Sequence, residues 1–217
     1  MDPRFKSDAA DLSARLKSLP TQWDGMAAIL ELKEADFQWR QMEWIGFYFE
    51  FHALRCARES GFTVPGIRYG HTCFDASKRI NWDFKAHAIK SHTHTLIAND
   101  VSATDASIKA NRVHGLVVAL LDVTYNDDAR SFQKWHTALK GGKSAYEQER
   151  EERTAVSRYR KRDALLREIV FVEIIDPKRQ CGIHRQGRNS NGKPRPAKYS
   201  VDLESLDKNA ITMLTFR

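Results

Sequence analysis

The chain has 217 residues, of which 41% are hydrophobic, 29% charged and 10% aromatic. This composition excludes a disordered or collagen-like chain. At this length folding buries about 70% of the unfolded surface, so no disulfide or structural metal is needed.

The longest apolar run, residues 116–121, is too short to cross a bilayer. The first residues show no secretory signal, and the three cysteines are far apart, which is typical of free thiols. We therefore expect a soluble cytoplasmic protein that does not cross a membrane. The net charge of +7 favours an acidic partner such as nucleic acid, without deciding among nucleic acid, anionic membrane surfaces and acidic proteins.

The first half of the chain predicts helices followed by strands. Residues 1–35 are rich in helix formers and have apolar residues at helical spacing, so we expect accessory helices. A long apolar helix is predicted over 36–60, ending at Gly61. Two short strands, 72–75 and 80–86, follow with a polar turn between them, which is a hairpin pattern.

A parallel crossover is predicted next. Residues 102–111 are helix-prone, and 115–123 form an almost wholly apolar run that is typical of a strand buried on both faces. A strand, a helix and a second strand in this order form the parallel crossover unit. The first 123 residues therefore predict a mixed sheet with helices against it.

The remainder predicts a short helix over 131–140, a charged helix over 144–168 and strands over 169–175 and 210–216. A basic loop, 178–198, contains no acidic residue. We thus expect one α/β domain with a central mixed sheet flanked by helices. Its parts are accessory helices (1–35), a core (36–123), and a region that completes the sheet and contains the basic loop (124–217).

The candidate chemistry lies on the hairpin. Asp83 and Lys85 are two residues apart, so they face the same side of a strand, and the hairpin brings Asp75 alongside Asp83. Two neighbouring carboxylates repel each other unless a divalent cation lies between them, and Mg²⁺ prefers such oxygen ligands. A lysine beside the metal can orient or help to deprotonate a water molecule that attacks phosphorus. These residues are the minimum for metal-assisted phosphodiester hydrolysis.

The motif is short, and an acid, any residue and then lysine also occurs at Glu31–Lys33 and Asp176–Lys178. The first lies in a helix-forming run, where residues two apart do not face each other. The match at Asp176–Lys178 contains proline, which suits a strand end. Charged residues on an ordinary amphipathic hairpin remain the alternative reading of Asp75, Asp83 and Lys85.

The run Phe74-Asp75, seven residues, then Asp83-Phe84-Lys85 resembles the PD-(D/E)xK nuclease motif, with Phe74 in place of the frequent proline. The order of elements over 36–123 is similar to the common core of that superfamily, and the size and basic C-terminal third most resemble an orthodox type II restriction endonuclease. The resemblance implies that Asp75 and Asp83 bind Mg²⁺, that the Phe84 carbonyl completes the metal shell, and that Lys85 positions the nucleophilic water.

The resemblance also implies that a glutamate of the preceding helix joins the site. Glu50 is the first choice and Glu43 the second, although either can instead pair with an arginine such as Arg40 or Arg55.

Further positions are candidates for DNA contact. His87 follows Lys85 on the same strand face and is placed to line the site or contact a phosphate. In the basic loop, arginine and lysine can neutralise phosphates, and arginine, asparagine and glutamine can reach base edges. The candidates there are Arg185, Gln186, Arg188, Asn189, Asn191, Lys193 and Arg195. A disordered basic loop is the alternative.

A histidine cluster offers a rival site. His71, His87, His92 and His94 lie near Cys73 and could ligate zinc, although no pair has the spacing of a known zinc motif.

The sequence thus predicts a Mg²⁺-dependent, sequence-specific endonuclease for double-stranded DNA in a prokaryotic cytoplasm. Cutting two strands with one site per chain favours a homodimer, and a restriction enzyme implies a cognate DNA methyltransferase. The alternatives are a structure-specific or repair nuclease of the same fold and a non-catalytic DNA-binding protein; the chemistry alone does not distinguish DNA from RNA.

Overall fold

A computed structural model describes residues 1–65, 74–89, 94–125, 129–143, 145–152, 160–187 and 193–216. The helices are α1 (Pro3–Leu16), α2 (Gly25–Glu34), α3 (Trp44–Glu59), α4 (Val101–Asn111), α5 (Ser131–Leu139), α6 (Ala145–Glu152) and α7 (Pro177–Gln180). The strands are β1 (Gln22–Asp24), β2 (Ala76–Ser77), β3 (Asn81–Ala88), β4 (Thr95–Asp100), β5 (His114–Tyr125), β6 (Lys161–Ile174), β7 (Gly182–His184), β8 (Lys198–Asp202) and β9 (Ile211–Thr215).

The larger sheet is mixed. Its order is β1-β6-β5-β3-β2, and β9 pairs with β6 as well. Strands β3 and β5 are parallel, whereas every other pairing within the described part of the sheet is antiparallel. A smaller antiparallel sheet has the order β4-β8-β7. The predicted α/β class, with a mixed sheet flanked by helices, is confirmed.

Strand β5 is the centre of both hydrophobic cores. Val117, Ala119 and Leu121 face one side, where α1, α2 and α3 pack. Leu116 and Val118 face the other, where residues of the small sheet and α4 pack. Both faces are covered, which explains why this strand is a nearly continuous apolar run instead of an alternating one.

The parallel crossover is confirmed. Strand β3 leads through β4 and α4 into β5, and Asn81 and Ala88 lie opposite His114 and Leu121 at the two ends of the ladder. Strand β4, which the sequence did not predict, does not join the larger sheet; it pairs with β8 near the C-terminus. The predicted helix α5 and final strand β9 are also present.

Two predicted helices are corrected. The apolar helix begins at Trp44 rather than at residue 36, because Asp36 and Gln38 have φ values of 50° and 45°, which helices do not contain. The charged helix predicted over 144–168 is wrong from residue 161 onward, where β6 begins. There Ala164 and Leu166 are buried on one side of a strand that pairs with β5 and β1.

The predicted hairpin is present but shifted, because its first strand lies at Ala76–Ser77, which were predicted to be turn, whereas Phe74 and Asp75 are not part of a strand. Strand β2 has two residues, Ala76 opposite Trp82 and Ser77 opposite Asn81, so the edge of β3 beyond Trp82 is left uncovered by β2. Of the first predicted strand, residues 72 and 73 lie outside the described residues. The basic loop predicted over 178–198 contains α7 and β7 and leads into β8. None of the helices in the described part of the chain combines the length and apolar character needed to cross a bilayer.

Candidate active site

The structure brings Asp75 to the edge of β3 that β2 does not cover. The Asp75 amide donates to the Trp82 carbonyl at 2.8 Å, which continues the pairing of β2 by one residue and places Asp75 opposite Asp83. The Asp75 carboxylate then accepts the Phe84 amide at 2.7 Å through Oδ2. The side chain thus takes the place of the missing strand partner and fixes one carboxylate beside β3.

Asp83 is held by two polar side chains on the opposite face of β3 from α3. Asn99, on β4, donates its amide nitrogen to Oδ1 at 3.1 Å and to Oδ2 at 3.0 Å. His114, the first residue of β5, contacts Oδ2 through Nε2 at 2.8 Å. Asp83 is only 2% exposed, so these bonds replace the water that would otherwise solvate the carboxylate.

A third polar residue lies behind His114. The hydroxyl of Ser107, on α4, is 3.0 Å from His114 Nδ1. An ionised carboxylate can only accept, so Nε2 of His114 carries the proton that is donated to Asp83, while Nδ1 lies within hydrogen-bond distance of Ser107. The result is a buried chain of hydrogen bonds from Ser107 through His114 to Asp83.

Lys85 bridges the two carboxylates. Its Nζ lies 3.8 Å from Asp75 Oδ2 and 3.7 Å from Asp83 Oδ1. Burial lowers the pKa of Lys85, but Asp83 and Asp75, followed by Glu50, outweigh burial and raise the pKa above its ordinary value. Lys85 is therefore an ammonium ion at neutral pH, three donors aimed at the region between the acids.

Glu50 of α3 joins this cluster electrostatically. Burial, followed by repulsion from Asp75, raises the pKa of Glu50 to about 8, with Lys85 acting in the opposite direction. Burial likewise raises the pKa of Asp75 to about 6, although Lys85 opposes the shift. Burial would also raise the pKa of Asp83, but Lys85 and His114 lower it to about 2. Asp83 is thus the firmly ionised acid, and Glu50 holds a proton near neutral pH.

This donor set is compatible with a Mg²⁺ ion that retains several water ligands, since such sites use one or two carboxylates. Oδ1 of Asp83 and Oδ2 of Asp75 both face Lys85, and Glu50 supplies a third carboxyl nearby. Over the described ranges, however, no three acidic, histidine or cysteine side chains already form a closed ligand cage. The carbonyl of Phe84 as a ligand stays a prediction.

Glu43 is placed elsewhere. It precedes α3 and forms an ion pair with Lys161, and its side chain is 67% exposed. It lines a cleft of about 570 Å³ together with Lys85, His87 and Lys161. The structure therefore brings Glu50, and not Glu43, to the paired aspartates.

Of the predicted histidine cluster, His71, Cys73 and His92 lie outside the described residues. The rings of His87 and His94 are 6.4 Å apart between centroids. The zinc alternative stays a prediction, whereas His87 lies on the cleft beside Lys85, as its position on β3 indicates.

A second cavity, of about 1010 Å³, meets this cleft at Glu43 and is named here the basic groove. Its cationic lining residues are Arg40, Lys140, Lys143, Arg195 and Lys198, against the acids Glu43 and Glu147. Part of this charge is paired, since Lys140 lies 3.1 Å from Glu147 and Lys198 lies 3.0 Å from Asp100.

The predicted DNA-contacting residues have different outcomes. Arg195 lines the basic groove. Arg185 and Lys193 are exposed and Gln186 is half-buried, and none of the three lines the groove. Arg188, Asn189 and Asn191 lie outside the described residues.

The sequence reasoning missed Ser107, Asn99 and His114. His114 directly precedes the apolar run of β5, and a histidine entering a buried strand is a weak signal of a buried polar partner. Nothing local marks Asn99 or Ser107, because their contacts depend on how α4 and β4 pack against β3. Comparisons with protein-family models, with curated proteins and with solved structures found no match to this chain.

Proposed function

We propose that the protein is a Mg²⁺-dependent endonuclease that hydrolyses phosphodiester bonds of double-stranded DNA. The observation that carries the proposal is the position of Lys85 between Asp75 and Asp83 at the edge of β3 that β2 does not cover, with Glu50 alongside. Four ionisable groups with mutually perturbed pKa values beside a cleft are more typical of a functional site than of a structural ion pair.

The catalytic roles follow from the charges. A bound Mg²⁺ would stabilise charge on the phosphate oxygens and make a water molecule more acidic. Asp75 and Asp83 would hold the ion, and Asp83 would do so as a carboxylate across the whole neutral range, since its pKa is about 2. Lys85 remains an ammonium ion, so it would orient the attacking water and stabilise negative charge instead of removing a proton.

The basic groove supports nucleic acid as the substrate. Five cations and two acids line it, so its charge attracts a polyanion, and it meets the cleft that contains Lys85 and His87. A strand of DNA lying along the groove would bring a phosphate toward the paired aspartates. Arg40 and Lys143 thus join Arg195 as candidate phosphate contacts, whereas Lys140 is paired with Glu147.

The order of the sheet is consistent with a restriction-endonuclease-like core. The parallel pair β3 and β5 is connected through α4, and the antiparallel strands β2 and β6 flank it. On this basis we propose the narrower function of a type II restriction enzyme that acts as a homodimer, because one site per chain cuts one strand. Such an enzyme would act in a prokaryotic cytoplasm with a cognate DNA methyltransferase.

The experiment that tests catalysis is digestion of plasmid and phage DNA with Mg²⁺ or EDTA. We expect discrete fragments with Mg²⁺, none with EDTA, and at least a 1000-fold lower rate for Asp83→Asn and for Lys85→Met. Asp11→Asn, an exposed acid on α1, is the matched control and should cut like the wild type.

Other outcomes separate the alternatives. A smear or nicks without discrete fragments would indicate a nonspecific or structure-specific nuclease. DNA that shifts on a gel but stays intact with Mg²⁺ and Mn²⁺ would indicate a non-catalytic DNA-binding protein and refute the catalytic roles of Asp75, Asp83 and Lys85.

The groove is tested by binding at several salt concentrations. Neutralising one phosphate contact lowers the slope of log affinity against log salt by about 0.9. We expect that loss for Arg40→Gln and for Lys143→Gln, measured with Ca²⁺ in place of Mg²⁺. Lys6→Gln changes an exposed lysine on α1 that does not line the groove and should leave the slope unchanged. Equal slopes for all three variants would remove the groove from the substrate path.

A further inference from the structure

The two carboxylate oxygens of Asp83 have different hydrogen-bond partners. Oδ2 accepts from His114 at 2.8 Å and from Asn99 at 3.0 Å, which uses both of its in-plane lone pairs. Among the described residues, Oδ1 accepts from Asn99 at 3.1 Å, and Lys85 Nζ lies farther away at 3.7 Å. One lone pair of Oδ1 is thus left on the side that faces Lys85 and Asp75.

The donors that occupy Oδ2 are themselves fixed. His114 and Ser107 are both buried, with exposed fractions of 2% and 4%. The Ser107 hydroxyl holds Nδ1 of His114, so the imidazole presents Nε2–H to Asp83. Asn99 is fixed on β4, where its own Oδ1 accepts the Asp100 amide at 2.9 Å. Asp83 is therefore held by hydrogen bonds from two strands, from His114 of β5 and from Asn99 of β4.

Building on the proposed function, we infer that His114, supported by Ser107, and Asn99 are positioning residues that reserve Oδ2 of Asp83 for the protein and leave Oδ1 as its single metal-binding atom. Asp83 would hold the ion through Oδ1, while the bonds from His114 and Asn99 keep Oδ2 directed toward the protein. Partners of this kind commonly change metal affinity or activity 10- to 100-fold when they are removed.

The test compares variants that keep or remove the donor. His114→Leu removes the bond to Oδ2, whereas His114→Gln can still donate an amide N–H. Val113→Ala is the matched control. Val113 directly precedes His114 and is fully buried in the hydrophobic core that contains α1, α2 and α3, so the variant should lose stability while the contacts of Asp83 stay in place. For all three and for the wild type, Mn²⁺ binding is titrated by electron paramagnetic resonance, and DNA cleavage is measured in single turnovers over a range of metal concentrations.

We expect His114→Leu to raise both the Mn²⁺ dissociation constant and the half-saturating metal concentration for cleavage at least tenfold. His114→Gln should stay within about threefold of the wild type, and Val113→Ala should lower the urea midpoint with metal binding unchanged. If His114 had only a structural role, His114→Leu would resemble Val113→Ala, with a lower urea midpoint and unchanged metal binding. A folded His114→Leu variant with wild-type metal affinity overturns the proposal.

Two further readouts separate this inference from the nuclease proposal. If the wild type cleaves no DNA, the nuclease proposal fails, and the Mn²⁺ titration still decides the positioning roles. A wild type that binds no Mn²⁺ overturns them as well. Independently, nitrogen-15 spectra should show a proton on Nε2 of His114, and an imidazole protonated on Nδ1 alone would contradict the hydrogen bond to Asp83.

Discussion

The buried carboxylate of Asp8 is expected to be the strongest single anchor of the hairpin that carries Asp75 and Asp83. Asp8 lies on α1 and is fully buried. Its Oδ2 accepts the amides of Arg79 and Ile80 at 3.0 and 3.2 Å and the Trp82 indole N–H at 3.1 Å. Its Oδ1 accepts from the Arg79 guanidinium at 2.8 Å.

Asp8→Ala would leave these donors without an acceptor. The Arg79 side chain is 41% exposed and can return to water, but the donors of Ile80 and Trp82 are buried. Each unsatisfied buried donor costs about 1–3 kcal/mol, so these two donors together cost about 2–6 kcal/mol. We therefore expect the variant to lose about 4 kcal/mol of its free energy of unfolding.

Asp11 provides the matched control, because it lies one turn further along α1 and also contacts Arg79, at 3.1 Å, and Lys78, at 2.7 Å. Its side chain is 37% exposed, so Asp11→Ala should cost less than about 1 kcal/mol. Urea unfolding followed by tryptophan fluorescence measures both values. If the two variants lose similar stability, desolvation of the Asp8 partners is not what anchors the hairpin, and the reasoning fails.

Two further predictions concern packing and pH. At Gly115 a Cβ atom would lie 2.4 Å from Cε3 of the buried Trp82 ring, so Gly115→Ala should lower the free energy of unfolding by about 3 kcal/mol in urea. The control is Gly46→Ala: Gly46 lies on a helix, a Cβ atom there would have no atom within 4 Å, and the variant should gain about 0.5–1 kcal/mol. A Gly115→Ala variant as stable as the wild type would refute the close packing. Burial lowers the pKa of His136 to about 4, so the unfolded chain, with an ordinary value of about 6.5, binds the proton more readily. The stability contribution of neutral His136 is therefore present above pH 6.5 and is lost as the pH falls toward 4, amounting to about 3 kcal/mol. The difference in unfolding free energy between pH 7.5 and 4.5 should shrink by that amount in His136→Gln, and an unchanged difference would mean that His136 is not the titrating group.

Short-range patterns predicted the parts of the site that depend on one strand. Asp83 and Lys85 share a face because the side-chain period of a strand is two, and the hairpin turn places Asp75 opposite Asp83. The helix α4 and the buried strand β5 were predictable for the same reason, since their residues carry the pattern locally.

What the sequence did not predict depends on contacts between distant segments. Asn99 reaches Asp83 only because β4 leaves the larger sheet and pairs with β8. Strand β6 was mistaken for a helix over 161–168, because alternating burial of Ala164 and Leu166 is hidden among charged residues, and the pairing with β1 and β5 decides the conformation. The grouping of Arg40 with Lys140 and Arg195 likewise requires three separate segments to meet.

The pairing of β4 with β8 also has a consequence for the chain as it is synthesised. Residues through His114 leave the ribosome early, but the strand that holds β4 in place begins only at Lys198. At about 5–20 residues per second, the interval between Asn99 and Lys198 lasts about 5–20 seconds. During that time Asp75, Asp83 and Lys85 are all present while the support of Asn99 is incomplete. We therefore expect the nascent protein to acquire its complete candidate active site only after β8 has been synthesised.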